Sequence, residues 1–138
     1  PFLSSESLRK GIKEFGVNTI WMTSSLFNMV VDEDIDSFSK VSVVMIGGER
    51  LSQTHVKKFI NAHRGVKLIN GYGPVETTVF ATTRKIDLSD CNLLSGIPIG
   101  TPVPETQIYI LNENMKVCND QEIGQICIAG EGLALGYL

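Results

Sequence analysis

The sequence predicts an α/β fold: a parallel sheet with flanking helices, followed by a small antiparallel strand region at the C-terminal end. Three observations carry this. Short apolar runs at residues 17–22, 41–46 and 66–69 are separated by two stretches of helical periodicity, an alternation that calls for parallel strands joined by right-handed crossovers. The chain turns glycine-rich after two of those runs, at Gly47-Gly48-Glu49 and Gly71-Tyr72-Gly73-Pro74. Beyond residue 84 the pattern changes to prolines and strict alternation.

The elements follow in order. Ser4-Ser5-Glu6 supplies a hydroxyl cap and a first-turn acid; Leu8, Ile12 and Phe15 continue at helical spacing, and Gly16 can stop the helix. Val17-Asn18-Thr19-Ile20-Trp21-Met22 is β-branched and aromatic, hence a strand. Residues 23–31 read as a second helix capped by Thr23 or Ser24. Asp32-Glu33-Asp34-Ile35-Asp36 reads as a solvated acidic connector, because it lacks the glycine and terminal Glu of a calcium loop. The second strand, residues 41–46, is broken by Gly47-Gly48-Glu49. Ser52 can cap a third helix whose stripe is Val56, Phe59, Ile60 and His63, and which Gly65 closes. Residues 66–69 are the third strand. Residues 84–105 carry Pro98, Gly100, Pro102 and Pro104, so much of that stretch is turn or extended chain. Residues 106–111 alternate like a half-buried strand, Asn112-Glu113-Asn114 is a turn signal, and residues 125–129 form a last strand ended by Gly130. The chain is read as a single unit over 1–138, with an α/β part at 1–83 and a loop-rich and β part at 84–138.

Composition narrows the function classes. At 138 residues, 43% hydrophobic, the chain is long enough to bury roughly two-thirds of its unfolded surface and too apolar for disorder. A net charge of −3 lacks the basic face a nucleic-acid binder needs, and no apolar run approaches the ~20 residues of a membrane span. The three cysteines, Cys91, Cys118 and Cys127, form no C-x-x-C pair, so neither a zinc site nor a redox motif is indicated; Cys127 reads as a buried small hydrophobe, and the usage fits a reducing cytoplasm. His55 and His63, eight apart and without acidic or cysteine partners, read as surface or boundary histidines. The chain opens at Pro1-Phe2-Leu3 and closes at Gly136-Tyr137-Leu138, which reads as a piece of something longer.

Parallel strands place both glycine loops at the carboxyl edge of the sheet, where α/β folds bind ligands. There the glycines admit close backbone approach, Tyr72 offers a flat face for a base, Glu76 a hard oxygen for magnesium, and Thr77 and Thr78 hydroxyls beside it. As residues alone, the same stretch also fits a plain turn with Tyr72 packed and Glu76 solvated.

Residues 70–78, N-G-Y-G-P-V-E-T-T, resemble the N-x-Y-G-P-T-E-T-T core of adenylate-forming enzymes, specifically an amino-acid adenylation domain of a nonribosomal peptide synthetase. Gly47-Gly48-Glu49-Arg50-Leu51 resembles the family's G-G-E-x-L, Ile97-Pro98-Ile99-Gly100-Thr101-Pro102 its P-I-G-x-P, and residues 124–138 its G-E-L-x-I-x-G-x-G-L-A-R-G-Y-L. The segments keep the family's order and spacing across nearly the whole chain. The resemblance implies the second, flavodoxin-like subdomain of the large N-terminal part. It implies that Gly47, Gly48 and Glu49 flank an adenine on which Tyr72 stacks, that Asn70 bonds the base edge, that Gly71, Gly73 and Val75 complete the nucleotide contacts, and that Glu76 holds magnesium on ATP. A side-chain pocket of Trp21, Met45, Gly47, Gly71, Val79 and Phe80 follows from the same source. It carries no charge and no hydrogen-bonding side chain except the Trp21 indole, so burial of a polar side chain there goes uncompensated. It is similar to pockets that select valine, with two pocket positions outside the chain. The implied reaction joins an amino acid and ATP into aminoacyl-AMP, then a thioester on the phosphopantetheine arm of a carrier protein. The implied partners are that carrier and the remaining adenylation subdomains. The chain itself is expected to fold as a monomer without a cofactor.

Three positions depart from the family pattern: Val75 stands for Thr, Gln125 for Glu and Leu135 for Arg. The phosphate loop, the Asp that grips the substrate amine, the Asp that holds the ribose and the catalytic Lys have no counterpart in the sequence, so the chain alone is expected to select a substrate without activating it. An acyl-CoA or aryl-acid ligase, and a non-catalytic binding or scaffold module, are the other readings.

Overall fold

The computed structural model describes residues 4–137; Pro1, Phe2, Leu3 and Leu138 lie outside them. Helix α1 (Ser5–Phe15) starts where Ser4 accepts a hydrogen bond from the Ser7 amide and ends at Gly16, whose φ of 62° is the left-handed conformation that glycine reaches at no steric cost. Strand β1 (Thr19–Thr23) runs into α2 (Ser24–Glu33), capped by Thr23 Oγ1 accepting from the Leu26 amide. Then come β2 (Val43–Gly47), α3 (Gln53–Ala62) and β3 (Lys67–Tyr72). Strands β1, β2 and β3 pair in parallel, with Thr23, Gly47 and Gly71 level at their carboxyl ends. Two short strands absent from the sequence reading, β4 (Thr82–Lys85) and β5 (Thr101–Pro102), extend the sheet antiparallel beyond β3, in the order β1-β2-β3-β4-β5. Strands β6 (Thr106–Leu111) and β7 (Gln125–Gly130) form a separate antiparallel pair, as the alternation predicts.

Because the three parallel strands lie in sequence order, right-handed crossovers return α2 and α3 to one face of the sheet. That face carries the core. Phe27, Phe38 and Phe59 meet with ring centroids 5.1–6.0 Å apart over the buried Met22, Val44, Ile46 and Leu68. The other face presents Thr19, Trp21, Val43, Met45, Lys67 and Ile69, all exposed or half-buried.

Several local readings are corrected. Phe15 points away from the core, 77% exposed, leaving Ile12 as the buried residue of α1. The acidic stretch is not a solvated loop: Asp32 and Glu33 belong to the last turn of α2, Asp34 takes the Arg9 guanidinium, and residues 35–38 form a 3₁₀ turn. His55 does have an acidic partner, its Nε2 lying 2.9 Å from Asp32, whose other oxygen accepts from Lys58. Ser52 precedes α3 but its hydroxyl bonds His55 Nδ1 at 2.6 Å instead of capping the helix. Helix α3 ends at Ala62 with His63 as its cap, before Gly65, and His63 bonds the Ile35 carbonyl. Cys127 is half-buried, because its small sheet is solvated on both faces; Cys91 is the buried cysteine. No helix among the described residues is long and apolar enough to cross a membrane.

The segment beyond β4 is anchored by Asp90. It is 3% exposed, accepts from Arg84 Nη2 at 2.9 Å and Nε at 3.3 Å, and closes a capping box with Asp87. Burial pushes its carboxyl up, but the Arg84 and Asp87 hydrogen bonds and the Arg84 charge outweigh burial and hold it below the ordinary range. Its stabilisation is therefore present in full above the usual carboxylate pKa and is lost as pH falls through Asp90's depressed value. Asp90→Ala should cost about 2 kcal/mol in urea unfolding at neutral pH, moderated by the solvent-facing guanidinium. The gap between the two proteins should close as the pH is lowered past the carboxylate range; a gap independent of pH would refute the assignment.

Candidate functional site

Strands β2 and β3 end level at Gly47 and Gly71. A Cβ on Gly47 would collide with the Gly71 carbonyl oxygen, and one on Gly71 with the ring of Phe80. With no side chains in the way, the loops that follow both strands converge, as the parallel sheet predicts. They bound two cavities. The larger, about 630 Å³, lies between Gly48, Glu49, Arg50 and Leu51 on one side and Asn70, Gly71, Tyr72, Gly73 and Pro74 on the other, closed by Ser95, Ile97 and Ile99. The smaller, about 350 Å³, is lined by Trp21, Val75, Thr78, Val79 and Phe80 together with Gly48, Gly71 and Gly73. The three glycines are shared by both linings, so backbone without side chains separates the two spaces.

The polar groups of the larger cavity are held from behind. Glu49 accepts from Ser25 Oγ of α2 at 2.7 Å, which ties the first glycine loop to a helix. Asn70 is buried, and its Nδ2 donates one hydrogen to the Pro98 carbonyl at 2.9 Å; that bond fixes the orientation of the amide and leaves the side-chain oxygen available to a ligand. Tyr72 is half-buried, and its carbonyl accepts from the Ala81 amide at 2.8 Å, which holds its backbone at the cavity wall. Thr77 is turned inward, its hydroxyl donating to the Pro74 carbonyl at 2.9 Å.

In the smaller cavity Trp21 and Phe80 face each other with ring centroids 6.5 Å apart. Trp21 is 51% exposed, since it stands on the sheet face that carries no helix. Val79 has φ 136° and Thr78 φ 67°, unusual for β-branched residues and held here because the turn must lay Phe80 against Gly71. Met45 and Gly47 are not part of this lining: Met45 is the half-buried register partner of Trp21 on the same sheet face, and Gly47 is buried at the end of β2 against Gly71. Arg50, Leu51, Ser95, Ile97 and Ile99 line the larger cavity without having been given a role from the sequence; all but Ser95 sit within recognised motif segments, and that adjacency was the available signal. Thr78, read from the sequence as a hydroxyl beside Glu76, lines the smaller cavity.

Glu76 is exposed, on the 3₁₀ turn Val75–Thr77. Its Oε1 accepts from the Tyr137 hydroxyl at 2.6 Å, and among the described residues no other side chain donates to its carboxylate. The Ala134 amide donates to the Glu76 carbonyl at 2.8 Å and Thr78 Oγ1 to the Gly132 carbonyl at 2.6 Å, so the chain after β7 folds back onto this turn. The described residues contain no cluster of three or more His, Cys, Asp or Glu side chains. A lone carboxylate with a free oxygen suits magnesium, which keeps most of its ligands as water and phosphate. The Tyr137 hydrogen bond holds the Glu76 carboxyl below its usual range.

Comparison with known proteins gives three results. The family model described as AMP-binding enzyme matches residues 1–138. Two synthetases of Bacillus licheniformis are similar in sequence. Bacitracin synthase 1 is 40% identical over 136 residues, 99% of this chain and 3% of that protein; bacitracin synthase 3 is 39% identical over 136 residues, 99% of this chain and 2% of that protein. The solved structure of PA1221, an NRPS protein containing adenylation and PCP domains, superposes with a TM-score of 0.95 at 35% identity, covering 99% of this chain and 28% of that one. The chain thus spans a small part of the length of each relative it matches, and the resemblance to nonribosomal peptide synthetase adenylation domains holds in sequence and in fold.

Two measurements check this geometry. Gly47→Ala should lower stability by about 1–3 kcal/mol or more, because the carbonyl it meets is backbone and cannot rotate away; an unchanged melting temperature would contradict the close approach. Tyr137→Phe should raise the Glu76 pKa toward the ordinary carboxylate value in a carbon-detected NMR titration, and no change would show that the hydroxyl does not reach it.

Proposed function

We propose that this chain, which belongs to the AMP-binding enzyme family, is the amino-acid-selecting and adenine-binding part of a nonribosomal peptide synthetase adenylation domain, with valine or a similar branched aliphatic as its substrate. The observation that carries this is the pair of adjoining cavities divided by Gly48, Gly71 and Gly73. A nucleotide base in the larger and an amino-acid side chain in the smaller bring the two reactants together across bare backbone, the proximity that joining a carboxylate to a phosphate requires.

In this reading Tyr72 supplies the flat wall for adenine and the Gly48–Glu49 backbone the other, with Glu49 steadied by Ser25. Asn70 offers its side-chain oxygen to the base, its amide oriented by the hydrogen bond to Pro98. Glu76 would hold magnesium through Oε2; the ion supplies neutralisation of phosphate charge. Val75, 75% exposed at the cavity rim, offers no hydroxyl to a phosphate. Trp21, Val79 and Phe80 wall the smaller cavity with apolar surface, Met45 stands beside Trp21 on the neighbouring strand, and Gly71 leaves the room that a few carbons need. Charged side chains are rejected because nothing in the lining compensates their lost hydration. One methylene changes binding in such a pocket by only ~1–3 kcal/mol, so isoleucine and leucine should leak.

Alone, the chain is a monomer that does not activate its substrate, because the phosphate loop and catalytic Lys that the family pattern uses to meet the charge developing during adenylate formation have no counterpart in its sequence. In the whole synthetase its partners are the other adenylation subdomains and a carrier protein bearing phosphopantetheine.

The test is to graft residues 1–138 into a complete adenylation domain in place of the matching stretch and to profile all amino acids by ATP–pyrophosphate exchange. Valine should lead, with the branched aliphatics within about 200-fold; an active chimera preferring a charged or large aromatic residue refutes the pocket. Trp21→Ala in that chimera should shift preference toward larger side chains. The isolated chain should show no exchange above its Glu76→Gln variant.

A further inference from the structure

The far wall of the larger cavity is a strap, residues 93–99, that joins no sheet. Side chains fasten it instead: Gln53 Nε2 donates to the Leu93 carbonyl at 2.8 Å, Arg50 Nη2 to Ser95 at 3.3 Å, Asn70 Nδ2 to Pro98 at 2.9 Å and Thr82 Oγ1 to Ile99 at 2.7 Å. Asn70 and Thr82 stand on sheet strands and Gln53 on a helix, whereas Arg50 comes from the glycine loop that forms the opposite wall. Its guanidinium crosses the cavity rim and lies over Gly96, where a Cβ would stand 3.0 Å from Nη2 and 3.3 Å from Nε. Gly96 is buried, with φ 92°, so the strap turns where only glycine is at ease and where the guanidinium needs the space.

We propose that Arg50 is a positioning residue for the adenine cavity: by tying the glycine loop to Ser95 and covering Gly96, it fixes the strap as the wall against which the base is held. This rests on the reading that the larger cavity takes adenine. Among the described residues Arg50 forms no ion pair, so its charge is not accounted for by a carboxylate elsewhere. A planar guanidinium can cover the glycine and donate at once, which an ammonium cannot. Without the tie, the strap is held at its two ends and free to bow in the middle, and the cavity loses its fixed width.

The experiment uses the 138-residue chain, AMP as probe, and the variants Arg50→Ala and Arg50→Lys; Arg50 is exposed, so neither disturbs the core. In the wild type, AMP should shift the amide resonances of residues 48–51 and 70–73. In Arg50→Ala, hydrogen exchange at the Gly96 amide, which bonds the Leu93 carbonyl at 3.1 Å, should quicken about tenfold while the β1–β3 amides hold their rates, and AMP should bind about fivefold more weakly. Arg50→Lys should recover part of both losses. Faster exchange with unchanged AMP affinity makes the tie merely structural and overturns the inference, as does unchanged exchange. Absence of AMP shifts in the wild type overturns the nucleotide reading itself, and the inference falls with it.

Discussion

Gly47 and Gly71 stand side by side at the ends of two parallel strands, and there is no volume between them for a methyl group. Everything at the carboxyl edge of the sheet depends on that approach. Phe80 can lie flat against Gly71 because nothing projects from it, and Phe80 with Trp21 then bounds the apolar cavity. The loops leaving both strands come close enough to enclose a second cavity, and glycine backbone is the partition. A side chain at either position would pry the strands apart or fill one of the spaces, so the constraint is steric before it is chemical.

A second principle runs through the site: its polar groups face inward as often as outward. Asn70 secures Pro98, Thr77 bonds Pro74, Ser25 steadies Glu49, and Tyr137 orients Glu76. A loop-built cavity has no ladder of backbone bonds to hold it, and the side-chain bonds replace one. The result is a rigid rim assembled from irregular chain, with the strained turn at Thr78 and Val79 held by the contacts of its neighbours.

The sheet has one covered face and one bare one. Both crossover helices fall on the same side, leaving Trp21, Met45 and Ile69 on the other. This explains why a large aromatic side chain is available to line a cavity at all: a second helical layer would have buried it. The comparison structure, in which this chain matches 28% of a longer polypeptide, is built from the same unit with much more chain around it.

The sequence alone determined the parallel βαβαβ order, a hydroxyl cap at the start of α1 and of α2, the Gly16 stop, the β6–β7 pair and the glycine loops, because each is encoded locally by periodicity, capping chemistry or a turn residue; the structure chose Thr23 over Ser24 as the cap of α2. The family motifs identified the class of site for the same reason: their residues are close in sequence. What only the tertiary structure decided depends on residues far apart. Strands β4 and β5 are short, with little pattern of their own, and exist because β3 offers an edge to β4 and β4 in turn offers one to β5. Asp32 became the partner of His55 across 23 positions, Asn70 turned its amide to Pro98 across 28, and Arg50 reached Ser95 across 45. No local preference encodes such pairings; they arise when the folded core fixes two distant backbones within hydrogen-bond reach and leaves one geometry that satisfies both.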